Sequence, residues 1–178
     1  MENQTVEIEE TTLEEIINAA VSKAVSAKRV ADDRQPKDAF SATEKRLYAY
    51  PIIKLKIVSD RERIAEIEQN GAPYRSKVVI GLQKFGTRLT SEQIADVLIH
   101  DINSQIAENE YEIETIDKAL ATIAGDPYEN IIRLKYFEGK SGEEISALLS
   151  RDQTTIWRQR SRLVGRIAVF LYGVAAVI

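Results

Sequence analysis

From residue 13 onward, Leu13, Ile16, Ile17, Ala20, Val21, Ala24 and Val25 recur three or four positions apart. That is the spacing of one face of a helix. Thr12 and Glu15 stand just ahead of this run as a capping box, the threonine oxygen accepting from the first turn and the glutamate reaching back. Residues 1–10 are polar and acidic and read as disordered. The stretch 28–39 is charged, holds Pro36, and reads as a linker. A second box, Ser41 with Glu44, opens a helix through Leu47 and Tyr48. Pro51 has no amide hydrogen and disfavours a helical Tyr50, so a kink or break is expected there. Helix resumes at Ile52 and stops near Asn70 and Gly71.

Residues 71–89 are punctuated by Gly71, Pro73, Gly81 and Gly86, and the run 77–82 is either a short strand or an extended connector. Thr90 and Gln93 then cap a long helix. Ile94, Val97, Leu98, Ile102, Ile106, Ile113, Ile116, Leu120 and Ile123 keep the helical period over roughly 34 residues, well above the ordinary helix length. Gly125, Asp126 and Pro127 end it. A stripe of this length packs on another helix, within the chain or in a dimer.

Three shorter helices are predicted after Pro127. The first covers 128–137, with Ile131, Ile132, Leu134 and Phe137 as its apolar residues, and Glu138, Gly139 and Lys140 turn the chain. The second is capped by Ser141 and Glu144 and is expected to bury Ile145, Leu148 and Leu149. Ser150 and Arg151 lead to Asp152, a strong N-cap. The third helix runs from Gln153 to Arg166 or beyond, with Ile156, Leu163 and Ile167 facing the core. Two short helices joined by a tight turn make the helix-turn-helix pattern.

The charge distribution sharpens that reading. The 178 residues carry a net charge of −4, yet residues 126–178 hold eight basic against six acidic groups. An acidic body with a local basic helix suits contact with DNA on one face. The last helix holds Arg158, Arg160, Arg162 and Arg166, follows Arg151, and contains no acid. Its first turn offers Gln153, Thr154 and Thr155, the positions that enter a major groove first in such motifs. Arg and Gln can pair with base edges, and Thr can meet a base, a phosphate or a thymine methyl. The candidate DNA contacts are therefore Arg151, Gln153, Thr154, Thr155, Trp157, Arg158, Gln159, Arg162 and Arg166, the later arginines being placed for phosphates. Trp157 either stacks on the sugar-phosphate backbone or covers Arg151.

Other chemistry is thin. There is no cysteine and one histidine, which excludes disulfides, thiol catalysis and the usual zinc ligand sets. Neither a phosphate-binding glycine loop nor a catalytic triad is present, so no enzyme, metal or cofactor is expected. His100 with Asp101 reads as a helix-surface pair, and Glu108, Glu110, Glu112 and Glu114 as a solvated flank. The apolar end 167–178 is too short to span a bilayer. It is expected to pack the last helix, an oligomer contact being the alternative. With no membrane segment or secretory signal expected, the chain reads as cytoplasmic.

Glu144-Ile145-Ser146-Ala147-Leu148-Leu149, followed by Asp152-Gln153-Thr154-Thr155-Ile156, resembles region four of bacterial sigma factors, a helix-turn-helix that reads promoter DNA. It also resembles the phage late-gene transcription regulators of Gram-positive hosts, the RinA-type and ArpU-type proteins. Residues 43–54, with Tyr50 and Pro51, are similar to the N-terminal helix of those regulators, and the Trp157–Arg158–Gln159–Arg160 run adds to the likeness. Three positions depart from the sigma pattern: Ser150 in place of glycine, Arg151 in place of a small apolar residue, and Arg160 in place of a buried leucine.

The resemblance implies an all-α protein with a helical N-terminal region and a long helix, followed by a sigma region-four-like helix-turn-helix. The expected division is 1–40 (disordered start, amphipathic helix and linker), 41–125 (helical region) and 126–178 (DNA-binding domain). The implied function is a sequence-specific transcription regulator in a bacterial host, a phage or prophage late-gene activator. Its implied partners are double-stranded DNA, host RNA polymerase, and a second copy bound through the N-terminal or long helix. The alternatives are a small terminase subunit, which assembles into a packaging ring, and a protein-binding module that has lost DNA.

Overall fold

The computed structural model describes residues 36, 38–71 and 90–174, and no strand is present among them. The amphipathic helix expected from Thr12, the linker up to Gln35, the 77–82 run and residues 175–178 lie outside that set. Five helical elements follow in order: α1 (Ala39–Asn70), α2 (Ser91–Ala121), α3 (Asn130–Ile132, continuing as a π-helical turn over Arg133–Phe137), α4 (Gly142–Leu149) and α5 (Gln153–Tyr172). None of the described helices is long and apolar enough to cross a membrane.

Helix α1 starts earlier than its sequence signals suggest. The Asp38 carboxylate accepts from the Ser41 backbone N–H at 3.0 Å and from its hydroxyl at 2.6 Å, so Asp38 caps the helix in place of Ser41. Glu44, expected to close that box, instead accepts the Tyr136 hydroxyl at 2.6 Å. The expected break at Pro51 is also absent, because α1 runs unbroken through it for 32 residues. Pro51 removes only the hydrogen bond that the Leu47 carbonyl would have received. Leu47 and Tyr50, just before the proline, are buried and hold that turn in the core. Burial of that turn outweighs the single missing bond.

Helix α2 opens with the expected capping box, the Thr90 hydroxyl accepting from the Gln93 N–H and the Gln93 side chain from the Thr90 N–H. It packs antiparallel on α1. Tyr50 donates to Asp117 at 2.5 Å, and farther along α1 Arg61 reaches Glu110 at 2.6 Å. Arg46 grips both oxygens of Glu112 at 2.7 Å, a bidentate pair. Glu110 and Glu112 thus tie two helices together, and Glu114 pairs with Lys118 at 2.7 Å; the flank is not merely solvated. His100 is half-buried, with its Nε2 buried, rather than lying on the surface.

Three apolar clusters account for the packing. Ile57 and Ile67 of α1 meet Leu98, Ile102 and Ile106 of α2. The stripe expected to seek a partner helix is therefore occupied within the chain. A central cluster joins Leu47, Tyr50, Ile116, Ala119, Ile123, Ile132, Tyr136, Leu163, Val164 and Ile167. A third holds Ile131, Ile145 and Ile156. Neighbours on a helix point about 100° apart, so Ile131 feeds the third cluster while Ile132 feeds the central one. The boundary expected between residues 125 and 126 runs through this central cluster, within the unit that holds the described residues.

Candidate functional site

The connection from α4 to α5 is built residue by residue. Ser141 and Glu144 form the expected capping box, at 3.2 and 2.7 Å. The Ser141 hydrogen bonds hold the Glu144 carboxyl below its ordinary value. Helix α4 has only two turns and one buried line, Ile145 with half-buried Leu149. Leu148, expected inside, is 60 % exposed, because it lies off that line. The helix ends on Ser150 in the left-handed region, φ 50°, where this turn ordinarily places glycine. The Arg151 N–H donates to the Ser146 carbonyl at 3.1 Å, and the Ser146 hydroxyl donates to the Arg151 carbonyl. Asp152 then caps α5, accepting from the Thr155 N–H at 2.8 Å and its hydroxyl at 2.7 Å. Those two bonds from Thr155 keep the Asp152 carboxyl below its ordinary value.

Helix α5 buries Ile156, Leu163 and Ile167, as its spacing implied, together with Val164 and Ala168. The candidate contacts fall into two groups. Arg151, Gln153, Thr154, Trp157 and Arg158 are exposed. Arg151 and Arg158 form no ion pair among the described residues, and Trp157 makes no ring contact with Arg151 there. Thr155, Gln159, Arg162 and Arg166 are engaged within the chain. Thr155 serves the cap. Gln159 accepts from Arg162 Nε at 2.7 Å, and the same guanidinium donates to both oxygens of Asp126 at 2.8 and 2.9 Å. Arg166 donates to the Thr122 carbonyl at 2.6 Å and stands 3.8 Å from Asp126.

Asp126 is thus an anchor as well as a helix stop. The Tyr128 N–H, donated at 3.0 Å, is the main reason its carboxyl sits low, burial opposing and Arg162 adding to the effect. The Asp126–Pro127 pair carried a turn signal, but no local pattern showed that two arginines 36 and 40 positions later would close on it. The same holds for Arg160. Its guanidinium stands 3.8 Å from the Glu44 oxygen that already takes the Tyr136 hydroxyl. A side chain expected where leucine is buried is instead half-buried at the edge of the three-helix core.

Beside α5 lies a cleft of about 180 Å³ lined by Ile131, Lys135, Gly142, Ile145, Gln153, Ile156, Trp157 and Arg160. Among the described residues no group of three or more His, Cys, Asp or Glu side chains is arranged to hold a metal ion. No family model, curated protein or solved structure matches the chain.

Proposed function

We propose that α4, the turn through Ser150 to Asp152, and α5 form a helix-turn-helix that reads double-stranded DNA. The observation that carries this is the coincidence, on the capped start of α5, of short polar groups with cations that have no ion pair among the described residues. Arg151 and Arg158 are available for phosphates or guanine edges, and Gln153 and Thr154 for bases. The opposite side of the same turns is locked into the core by Ile156. On this reading Arg162 and Arg166 support the turn after α2 and contribute less to DNA than Arg151 and Arg158. The molecule is a sequence-specific transcription regulator of the phage late-gene type, acting together with host RNA polymerase.

The test is binding of full-length protein to genomic fragments it selects, measured over a range of salt. Changing Arg151 and Arg158 together to Ala is expected to weaken binding and to flatten the salt slope by about 2. Unchanged affinity and slope would remove these residues from the interface. Fragments lying upstream of structural genes support regulation.

One observation favours the packaging reading as a second possibility. Tyr48, Ile52, Leu55 and Val58 of α1 are 44–70 % exposed, a surface suited to subunit contact. Sedimentation of the full chain separates the two. A monomer or dimer fits a regulator, and a stable ring together with fragments from a packaging start fits a small terminase.

A further inference from the structure

We propose that the cleft between α3, α4 and α5 binds a small carboxylate with an apolar body, about the size of one six-membered ring. Its lining is mostly apolar, with Ile131, Ile145 and Ile156 packed behind it. Its rim is cationic. Lys135 and Arg160 line it together with the indole of Trp157. Lys135 has no ion-pair partner among the described residues. Among the described residues Arg160 has only the 3.8 Å approach to Glu44. A carboxylate is the acceptor that best matches a guanidinium. Inorganic phosphate would satisfy the cations but leave the apolar lining uncovered, whereas a neutral hydrocarbon would do the reverse. A volume of about 180 Å³ suits one ring with its carboxylate at the mouth, since an apolar cavity of about 150 Å³ takes up one benzene. Gln153 and Trp157 belong to both this cleft and the start of α5, so a filled cleft would act on the turns that face outward.

The full chain offers its own reporter, because Trp157 is its sole tryptophan. Cyclohexanecarboxylate, its neutral amide and inorganic phosphate are each titrated while indole emission is followed. The expected result is a saturable change with the carboxylate at a Kd of about 1 mM or tighter, and responses at least about tenfold weaker for the amide and for phosphate. Lys135→Gln and Arg160→Gln are each expected to weaken carboxylate binding about tenfold. The Lys135 variant should keep the wild-type melting temperature, and it decides the matter if Arg160→Gln fails to fold. The proposal is overturned by an emission that does not saturate, by an equal response to the amide, by a stronger response to phosphate, or by unchanged binding in Lys135→Gln. All of these outcomes are read without DNA, so they stand or fall separately from the proposed reading of α5.

Discussion

Among the described residues, Ser150 is the sole non-glycine with a positive φ. A left-handed conformation costs an L-residue about 1–2 kcal/mol, while glycine at the same place adds about 0.5–1 kcal/mol of unfolded-state entropy. Ser150→Gly is therefore expected to leave the protein as stable as before or up to about 1 kcal/mol more stable. Urea unfolding measures this, and a marked loss of stability would show that the serine side chain holds the turn. Asp126 poses the opposite case at the same scale. Removing its charge in Asp126→Asn weakens the hold on Arg162 and Arg166, so the melting temperature is expected to fall. Arg162 then becomes available, while Arg166 keeps its bond to the Thr122 carbonyl, and, on the proposed reading, the salt dependence of DNA binding steepens by up to about 1. A lower melting temperature with an unchanged slope would show that Arg162 never reaches phosphate.

At the scale of the element, the α3–α4–α5 segment is stabilised by carboxylates that accept backbone hydrogen bonds. Asp126 and Asp152 lie below an ordinary 3.8 and Glu144 below 4.5. Each therefore binds its proton less readily folded than unfolded, and acidification favours the unfolded chain. Their contribution is complete above the ordinary values and is lost as pH falls through the lower folded ones. The urea midpoint is expected to be insensitive to these groups above about pH 5 and to drop below about pH 4. A midpoint that rises on acidification would contradict the assignment. Helix α1 shows how elements override local signals. The Ser41–Glu44 box is a sound local pattern, yet Asp38 captures the Ser41 N–H first and Tyr136 captures Glu44.

The described helices are knit through α3. Ile131 and Ile132 are adjacent in the chain but belong to different clusters, and the central cluster draws on α1, α2 and α5 as well. The three C-terminal helices should therefore not melt independently of the long pair. Among the described helices α1 and α2, with 32 and 31 residues, contribute most to far-UV circular dichroism, and Trp157 emission reports on α5. The two probes are expected to trace one transition. Ile132→Ala should shift both together by about 2–5 kcal/mol. Two separated transitions would mean that the segment from α3 onward is a domain of its own.

Local chemistry alone determined a good deal. The capping boxes at Thr90 and Ser141 and the N-cap at Asp152 rest on hydrogen bonds spanning three residues, and the stripe of α2 and the line of Ile156, Leu163 and Ile167 follow the helical period, so spacing reveals them. Tertiary structure decided what spacing cannot see. Pro51 stays inside a helix because the residues before it are buried. Arg162 and Arg166 are drawn onto Asp126, Arg160 is left at the rim of a cleft with Lys135, and Leu148 is turned outward. In each case the deciding partner is far away in sequence, and the energy of burial or pairing exists only once the helices have met.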